Sequence, residues 1–253
     1  MLKTNTNSAF DLVTLSSKAI SAFQTTRLNP LDSNASILPY GNFNLGLHVD
    51  DEESQVLNNR RQLLKFLPSD TKIQWLDQVH GNEVAVINEH NEQVVTADAL
   101  VTSTRNLALA VMTADCLPIL LKSSSENEIA AIHGGWRPLR LNIIENTLNK
   151  MASQPSEIEA WLGPCIGATS FEVGEEVKLA FQDVDGELAT FFRETDSNKF
   201  LADLPGIATY LLQRAGVKKI AISSPCTVEN KLRYYSYRRD KVTGRMATII
   251  VIN

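Results

Sequence analysis

Short, continuous apolar runs place the strongest constraint on the fold of this chain. Residues 107–112, 119–121 and 129–132 form three such runs in close succession, and the β-branched run Met246–Ile252 closes the chain. A strand with one face in water alternates polar and apolar residues, whereas these runs do not alternate, which is typical of strands covered on both faces. The sequence therefore predicts a buried sheet with further layers packed on both sides.

Other strands and helices alternate with these runs. We predict further strands over residues 72–75, 83–87, 99–101, 157–162 and 219–222, and helices over 50–66, 139–151, 172–181 and 204–215. Hairpin-like neighbours interrupt strict strand–helix alternation, so the sheet is expected to be mixed rather than wholly parallel. The overall prediction is an α/β protein, a single three-layer α/β/α domain with a mixed β-sheet that spans residues 1–253.

Composition argues against several classes of partner. The chain has 253 residues, a formal net charge of −5 and no more than two consecutive basic residues, so a nucleic-acid-binding surface is not expected. Its apolar runs are far shorter than the roughly 20 residues of a membrane-spanning helix. The N-terminal residues do not show the pattern of a signal peptide. The mostly polar residues 29–36 predict a surface loop. We therefore expect a cytoplasmic protein without a membrane partner, either a monomer or a weak homo-oligomer.

Three reactive side chains stand at or near the ends of predicted strands: His80, Cys116 and His133. Binding sites of α/β proteins gather at such places. Two imidazoles and a thiolate are the three protein ligands typical of a catalytic zinc ion, whose fourth position stays open for water or substrate. Asp77 and Asp115 are candidate acceptors that would fix the tautomer of a ligating imidazole. The chain has three cysteines, an odd number at wide spacings that does not suit a disulfide framework.

Two other interpretations of the same three residues stay open from the residues alone. In a cysteine hydrolase, Cys116 would be the nucleophile, a neighbouring histidine the base, and the amides of Gly134 and Gly135 an oxyanion hole. In a copper protein the same ligands would hold copper, which binds them more tightly than zinc. The chain contains only four histidines, too few for the several coppers of a multicopper oxidase.

The order of the motifs along nearly the whole chain resembles that of the laccase-domain, or YfiH-like, family. The matching segments are 25–27, 44–51, 59–60, 78–81, 97–102, 113–118, 132–137, 163–167, 171–174, 235–240 and 243–247. Three places depart from the usual family pattern: residues 28–31 replace Gly-Gly-Val-Ser, Gly134 replaces an alanine, and Pro138 replaces a glycine. None of the three departures involves a proposed metal ligand, whereas all three lie near presumed substrate loops.

The resemblance implies an α/β/α domain with zinc held by His80, Cys116 and His133, which are also the catalytic residues. It implies a purine nucleoside phosphorylase that acts on adenosine, inosine, guanosine and S-methyl-5′-thioadenosine, with adenosine deaminase activity. The family was earlier described as multicopper polyphenol oxidoreductase, and its fold has been likened to that of cysteine hydrolases. The implied partners of the chain are thus purine nucleosides and phosphate.

Four residues are candidates for binding that substrate: Arg27, Asn44, Arg137 and Arg238. The planar guanidinium of arginine suits bidentate contacts with a phosphate, and Arg239 is a further candidate for the same reason. Asn44 is expected to form a hydrogen bond with the nucleoside.

Overall fold

A computed structural model describes residues 9–31 and 39–253, in which β structure occupies the centre. Strands β1–β16 span Phe10–Leu12, Ile20–Thr25, Lys72–Gln74, Leu76–Asp77, Val84–Val86, Val95–Thr96, Ala99–Thr102, Leu107–Thr113, Leu117–Ser123, Ile129–Gly134, Ile158–Leu162, Glu172–Val173, Phe192–Glu194, Phe200–Ala202, Lys219–Ile222 and Met246–Ile252. Helices α1–α6 span Glu53–Leu64, Trp136–Arg140, Ile143–Lys150, Glu175–Gln182, Leu204–Arg214 and Tyr237–Asp240.

Two mixed sheets contain most of these strands. The first has the order β1-β2-β16-β8-β3, and the second the order β15-β11-β9-β10-β7-β5. Within them β3 runs parallel to β8, β15 to β11 and β5 to β7, whereas the other pairs are antiparallel. Every residue of β8, β9, β10 and β16 is buried, which confirms the prediction made from the continuous apolar runs.

The two sheets pack face to face. Leu109 and Ile250 of the first sheet share one core cluster with Leu120, Ile129 and Trp161 of the second. Side chains alternate across each strand, so the neighbours of these residues along the chain point to the outer faces. The β layer at the centre of the molecule is therefore double, because two sheets supply the apolar cover that each needs on its inner face.

Helices cover the outer faces. Leu63 of α1 packs with Phe23 and Ile249 on the first sheet, and Leu148 of α3 and Leu211 of α5 belong to the core cluster on the second sheet. The predicted α/β class, with helices outside and mixed β structure inside, is confirmed. The structure adds the division of the inner layer into two sheets.

One predicted helix is divided into two. Residues 139–151 were expected to form a single helix, but α2 ends at Arg140 and α3 begins at Ile143. Asn142 between them has a φ of 63°, a left-handed conformation that asparagine tolerates better than most residues and that no α-helix can continue through. The apolar spacing was correct, whereas the local break at Asn142 was not predicted.

Two stretches lie outside the described residues. They are residues 1–8, which include the N-terminal pattern, and 32–38, which include most of the loop predicted over 29–36. Among the helices of the described part, none is long and apolar enough to cross a membrane.

Candidate metal and substrate site

The strand order brings His80, Cys116 and His133 together. Cys116 lies in the short connection from β8 to β9, and His133 of β10 pairs with Pro118 of β9, two residues beyond that cysteine. His80 lies between β4 and β5, where the side chain of Gln78 clamps the loop to β8 through hydrogen bonds of 2.8 and 2.7 Å with the backbone of Met112.

The ligand atoms of these three residues converge on one point. They all lie within 4.8 Å of one another, and the Sγ of Cys116 is 3.9 Å from the Nε2 of His80. Tetrahedral zinc with ligand bonds of roughly 2.0–2.3 Å needs donor atoms that are close together in this way. The donor set and its spacing therefore fit a metal ion, and this is the one such cluster among the described residues.

Asp98 holds two of the three metal-ligand residues in place by hydrogen bonds. It is fully buried and lies between β6 and β7. Its Oδ1 accepts hydrogen bonds from the Nδ1 of His133 at 2.7 Å and from the backbone N–H of His80 at 3.0 Å, and its Oδ2 accepts one from Gly81 at 2.6 Å. A carboxylate bound to one ring nitrogen leaves the other free to ligate a metal.

The conformation of His80 depends on the same carboxylate. The φ of His80 is 58°, which is uncommon for a residue with a Cβ, and the two backbone hydrogen bonds to Asp98 hold it there. Sequence reasoning did not select Asp98 as a site residue, although it stands in the motif 97–102. An aspartate between apolar residues at the start of a buried strand was the signal that could have found it.

The predicted role of Asp77 and Asp115 was wrong, because neither binds a histidine ring. Asp77 is exposed and accepts a hydrogen bond from Thr96 at 3.3 Å. Asp115 is buried and accepts hydrogen bonds from Thr227 at 2.5 Å and from the backbone N–H of Arg238 at 2.6 Å. Asp115 therefore anchors the segment that carries Arg238 beside the metal-ligand cluster.

The cluster favours an ion pair when no metal is bound. Burial raises the pKa of the Cys116 thiol, but the charge and hydrogen bonds of His133 and His80 outweigh it and lower the pKa to about 6. Burial lowers the pKa of His133, but the Cys116 thiolate and Asp98 raise it to about 9. A metal cation would replace the imidazolium proton as the partner of the thiolate.

Two glycines let the backbone approach the cluster closely. A Cβ added to Gly135 would lie 3.2 Å from the Sγ of Cys116 and 3.4 Å from the Cδ2 of His80. A Cβ on Gly134, where the family usually has alanine, would lie 2.7 Å from the carbonyl oxygen of Leu117, its partner in the β-ladder. Glycine at 134 therefore allows β9 and β10 to approach more closely than alanine would.

The metal-ligand cluster lines a cavity of about 640 Å³. This volume lies within the range of sites for small organic ligands. Apolar and aromatic residues form part of the wall, and basic residues form another part; together with the cluster and Asp115, the lining includes His48, Gln78, Met112, Thr113, Ala114, Ile166, Phe171, Tyr237, Arg238, Lys241 and Arg245. The cavity thus combines a metal-ligand set with groups suited to a flat ring and to an anion.

Of the four residues predicted to bind substrate, Arg238 is the one that lines this cavity. The guanidinium of Arg27 lies over the Tyr235 ring at 5.0 Å, and that of Arg137 over the Trp136 ring at 4.5 Å. Both guanidinium groups are therefore stacked on aromatic residues that do not line the cavity. The further candidate, Arg239, forms an ion pair with Asp240 at 2.7 Å and donates to backbone carbonyls.

Asn44 also lies outside the cavity wall and is buried in a loop junction. Its Oδ1 accepts hydrogen bonds from the backbone N–H of Gly46 at 3.0 Å and of Arg245 at 2.8 Å. It therefore positions Arg245, a cavity residue that sequence reasoning missed together with Lys241. Arg245 stands in the family motif 243–247, and that motif was the signal available for it.

Comparison with known proteins gives consistent matches over most of the chain. The family model described as multi-copper polyphenol oxidoreductase laccase matches residues 21–253. A protein of Escherichia coli named purine nucleoside phosphorylase YfiH is 40% identical over 92% of this chain and 94% of its own length. A purine nucleoside phosphorylase of Haemophilus influenzae is 41% identical over 92% and 94% of the two chains.

Solved structures share the fold as well. A crystal structure of a Neisseria meningitidis protein superposes with a TM-score of 0.90 at 38% identity and covers 97% of this chain and 99% of its own. YlmD of Geobacillus stearothermophilus superposes with a TM-score of 0.84 at 25% identity, with coverage of 97% and 99%. The chain therefore belongs to the laccase-domain, or YfiH-like, family, whose model is described as multi-copper polyphenol oxidoreductase laccase.

Proposed function

We propose that this protein is a zinc-dependent purine nucleoside phosphorylase. The observation that carries the proposal is the cavity in which His80, Cys116 and His133 converge beside Arg238 and aromatic residues. The two relatives about 40% identical to this chain that are named purine nucleoside phosphorylases support it. The expected substrates are adenosine, inosine, guanosine and S-methyl-5′-thioadenosine.

Phosphorolysis joins an oxygen of hydrogen phosphate to C1′ of the ribose. The C1′–N9 bond breaks, the purine leaves with its electron pair, and the proton of hydrogen phosphate ends on the purine. When bound to the three ligands, zinc would supply a Lewis acid for orienting a reactant or stabilising charge. Asp98 would hold the His133 ring so that Nε2 faces the metal, and the guanidinium of Arg238 would face the anion.

Aromatic residues of the cavity would contact the purine base. Phe171 and Tyr237 both line it, and the guanidinium of Arg238 lies 5.5 Å from the centre of the Phe171 ring. Flat rings against a flat base bury apolar area without demanding many polar partners, which suits a site that accepts several purines. Of three neighbouring tyrosines, Tyr237 is 53% exposed whereas Tyr234 and Tyr235 are buried, so Tyr237 is the one proposed to contact the base.

Adenosine deaminase activity is proposed for the same cavity. The zinc of nucleobase deaminases is held by one histidine and two cysteines or by three cysteines, so the two histidines and one cysteine here are a related set that would likewise leave a position open for water. Water would add to C6 of adenosine and ammonia would leave, so inosine would form without phosphate. A single preparation can therefore be tested for both activities by whether the product depends on phosphate.

A cysteine hydrolase is a second candidate, because the pKa of Cys116 is lowered to about 6 beside His133. A thiolate at neutral pH is what such enzymes use as a nucleophile. The two candidates differ in the role of the metal: chelation abolishes the phosphorylase, whereas a cysteine hydrolase survives chelation and is lost on alkylation of the thiol.

The test combines metal analysis with activity measurements on the purified protein. We expect about one zinc ion per chain and a smaller content of copper. We also expect phosphate-dependent release of adenine from adenosine, which chelation abolishes and added zinc restores. Cys116→Ala should lose both metal and turnover. Cys226→Ala is the matched control, since that thiol is half-buried and does not line the cavity. A protein with neither zinc nor nucleoside turnover would refute the proposal.

A further inference from the structure

The charges that line the cavity are strongly unbalanced. Arg238, Lys241 and Arg245 line it, and Asp115 is the one carboxylate residue among the lining residues. The carboxylate of Asp115 is occupied by hydrogen bonds from Thr227, Ser236 and the backbone of Arg238. The whole chain has a formal net charge of −5, so this concentration of cations in one concave site is not a consequence of a basic protein.

Arg245 is the most firmly placed of the three cations. Its side chain is half-buried, and its Nη1 donates to the backbone carbonyls of Thr243 at 2.9 Å and Gly244 at 3.1 Å. Its backbone N–H is held by Asn44, as described above. Arg245 takes part in none of the ion pairs found between described residues. A fixed guanidinium with spare donors and without a carboxylate partner favours an external oxyanion.

Two neighbouring groups complete the subsite. Lys241 follows α6, has a φ of 62° and lies over the Tyr237 ring at 5.5 Å, and like Arg245 it takes part in no ion pair between described residues. Thr113 also lines the cavity, is 2% exposed, and its buried hydroxyl oxygen has no hydrogen-bond partner in the described part of the chain. Thr113 faces Met246 in the β8–β16 ladder, so its place is one residue from that of Arg245.

We propose that Arg245, Lys241 and the hydroxyl of Thr113 form a binding subsite for inorganic phosphate, beside the metal-ligand cluster. The inference rests on the proposed phosphorylase function and assigns to these residues the phosphate that attacks the ribose. Arg245 provides the fixed bidentate contact, the flexible ammonium of Lys241 closes over the anion from the cavity mouth, and Thr113 donates a hydrogen bond from the inner wall. Burial lowers the pKa of the Arg245 guanidinium, which remains charged at neutral pH, and its charge is less screened than one in water.

The test compares Lys241→Gln and Arg245→Met with matched substitutions elsewhere. Lys150→Gln and Arg193→Met are the controls, because both side chains are exposed and lie away from the cavity. In the zinc-loaded enzyme we expect Arg245→Met to raise the KM for phosphate by roughly 10- to 100-fold, the loss of a charge-assisted hydrogen bond. The exposed Lys241 should contribute less, roughly a 3- to 10-fold rise for Lys241→Gln.

A second measurement does not depend on turnover. Calorimetry at constant ionic strength measures the binding of inorganic phosphate to the zinc-loaded protein. Phosphate affinity should fall most in Arg245→Met, less in Lys241→Gln, and not in the two control variants. Zinc content should change by less than about twofold, since none of these side chains belongs to the metal-ligand cluster. Thr113→Val, nearly isosteric, should weaken phosphate binding without a loss of zinc.

The outcomes separate this inference from the proposed function. If the protein catalyses phosphorolysis but both variants leave the KM for phosphate and its binding unchanged, the subsite is wrong and the function stands. If Arg245→Met raises the KM for the nucleoside and not that for phosphate, the subsite is also wrong. If no phosphorolysis is found, loss of phosphate binding in Arg245→Met still supports the subsite, and absence of phosphate binding to the unmodified protein overturns it.

Discussion

Substitution of Asp98 by asparagine tests how the metal-ligand cluster is organised. The carboxylate accepts three hydrogen bonds, from His133, His80 and Gly81, and donates none. Asparagine keeps the size of the side chain but replaces one acceptor oxygen by an NH₂ group. Whichever way the amide turns, one acceptor that the cluster needs is lost.

The two amide orientations fail in different ways. With its oxygen towards His133, the amide turns its NH₂ group against the backbone N–H of Gly81. With its NH₂ group towards His133, the ring must accept at Nδ1, so the proton moves to Nε2 and occupies the position of the metal. The first orientation leaves the half-buried N–H of Gly81 without an acceptor, at a cost of about 1–3 kcal/mol. The second abolishes ligation by that histidine.

The expected magnitude follows from these contacts. Loss of a carboxylate that orients a metal-binding histidine weakens metal affinity by roughly 10- to 100-fold, which is about 1.4–2.7 kcal/mol. In the zinc-free protein, one mismatched donor should lower the free energy of unfolding by about 1–3 kcal/mol, which lowers the Tm by about 2–12 °C for a chain of this size. We expect zinc affinity to fall even under conditions where the variant is fully folded.

The assay is competition with a chromophoric chelator, together with thermal unfolding of the zinc-free protein. Asp77→Asn is the control, because that carboxylate is exposed and is bound by Thr96 rather than by a histidine. Its zinc affinity should stay within about twofold of that of the unmodified protein, as for a surface change. A zinc affinity of Asp98→Asn equal to that of the control would refute the assignment of Asp98 as the residue that positions the cluster.

Three further predictions concern the same cavity. Gly135→Ala places a Cβ 3.2 Å from the Sγ of Cys116, so zinc affinity should fall several-fold while the protein still folds, and an unchanged affinity in chelator competition would contradict this. In zinc-free protein, the pKa values of Cys116, about 6, and His133, about 9, mean that the ion pair stabilises the fold between these pH values. Its contribution is lost as pH falls through 6 or rises through 9, and alkylation of Cys116 by iodoacetamide should be half-maximal near pH 6 rather than above 8. Asn44→Ala removes the hydrogen bond that holds the backbone N–H of Arg245, so the free energy of unfolding in urea should fall by about 1–3 kcal/mol and the KM for phosphate should rise. A raised KM for the nucleoside alone would instead support the role of Asn44 predicted from the sequence.

Local sequence patterns predicted the interior of this protein well. Residues 107–112, 129–132 and 246–252 lie in fully buried strands, because an uninterrupted apolar run excludes water on both faces wherever it is placed. The patterns did not predict that two sheets share the interior, because a buried apolar strand can pack equally well against a helix or against a second sheet. Nor did they predict the break at Asn142, which depends on a single dihedral angle.

The reactive residues could be selected from the sequence, but their partners could not. The chemistry of His80, Cys116 and His133 is a property of residue type, and their positions near strand ends and their family motifs were visible along the chain. Asp98 was missed in favour of Asp77 and Asp115, because all three are aspartates beside a motif. The choice among them depends on which carboxylate the pairing of the strands brings next to the His80 and His133 residues.

The sequence by itself determined the α/β class and the buried strands through periodicity, and the three metal-ligand candidates through residue chemistry. The resemblance of its motifs, in their order along the chain, indicated the family. The tertiary structure decided which carboxylate orients the cluster and which cations face the cavity. Arg27 and Arg137 stack on aromatic rings outside the cavity, whereas Arg238 and Arg245 line it, although all four carry the same guanidinium. The physical reason is that Arg245 and Cys116 come to line the same cavity through the pairing of β16 with β8, which joins residues more than a hundred positions apart.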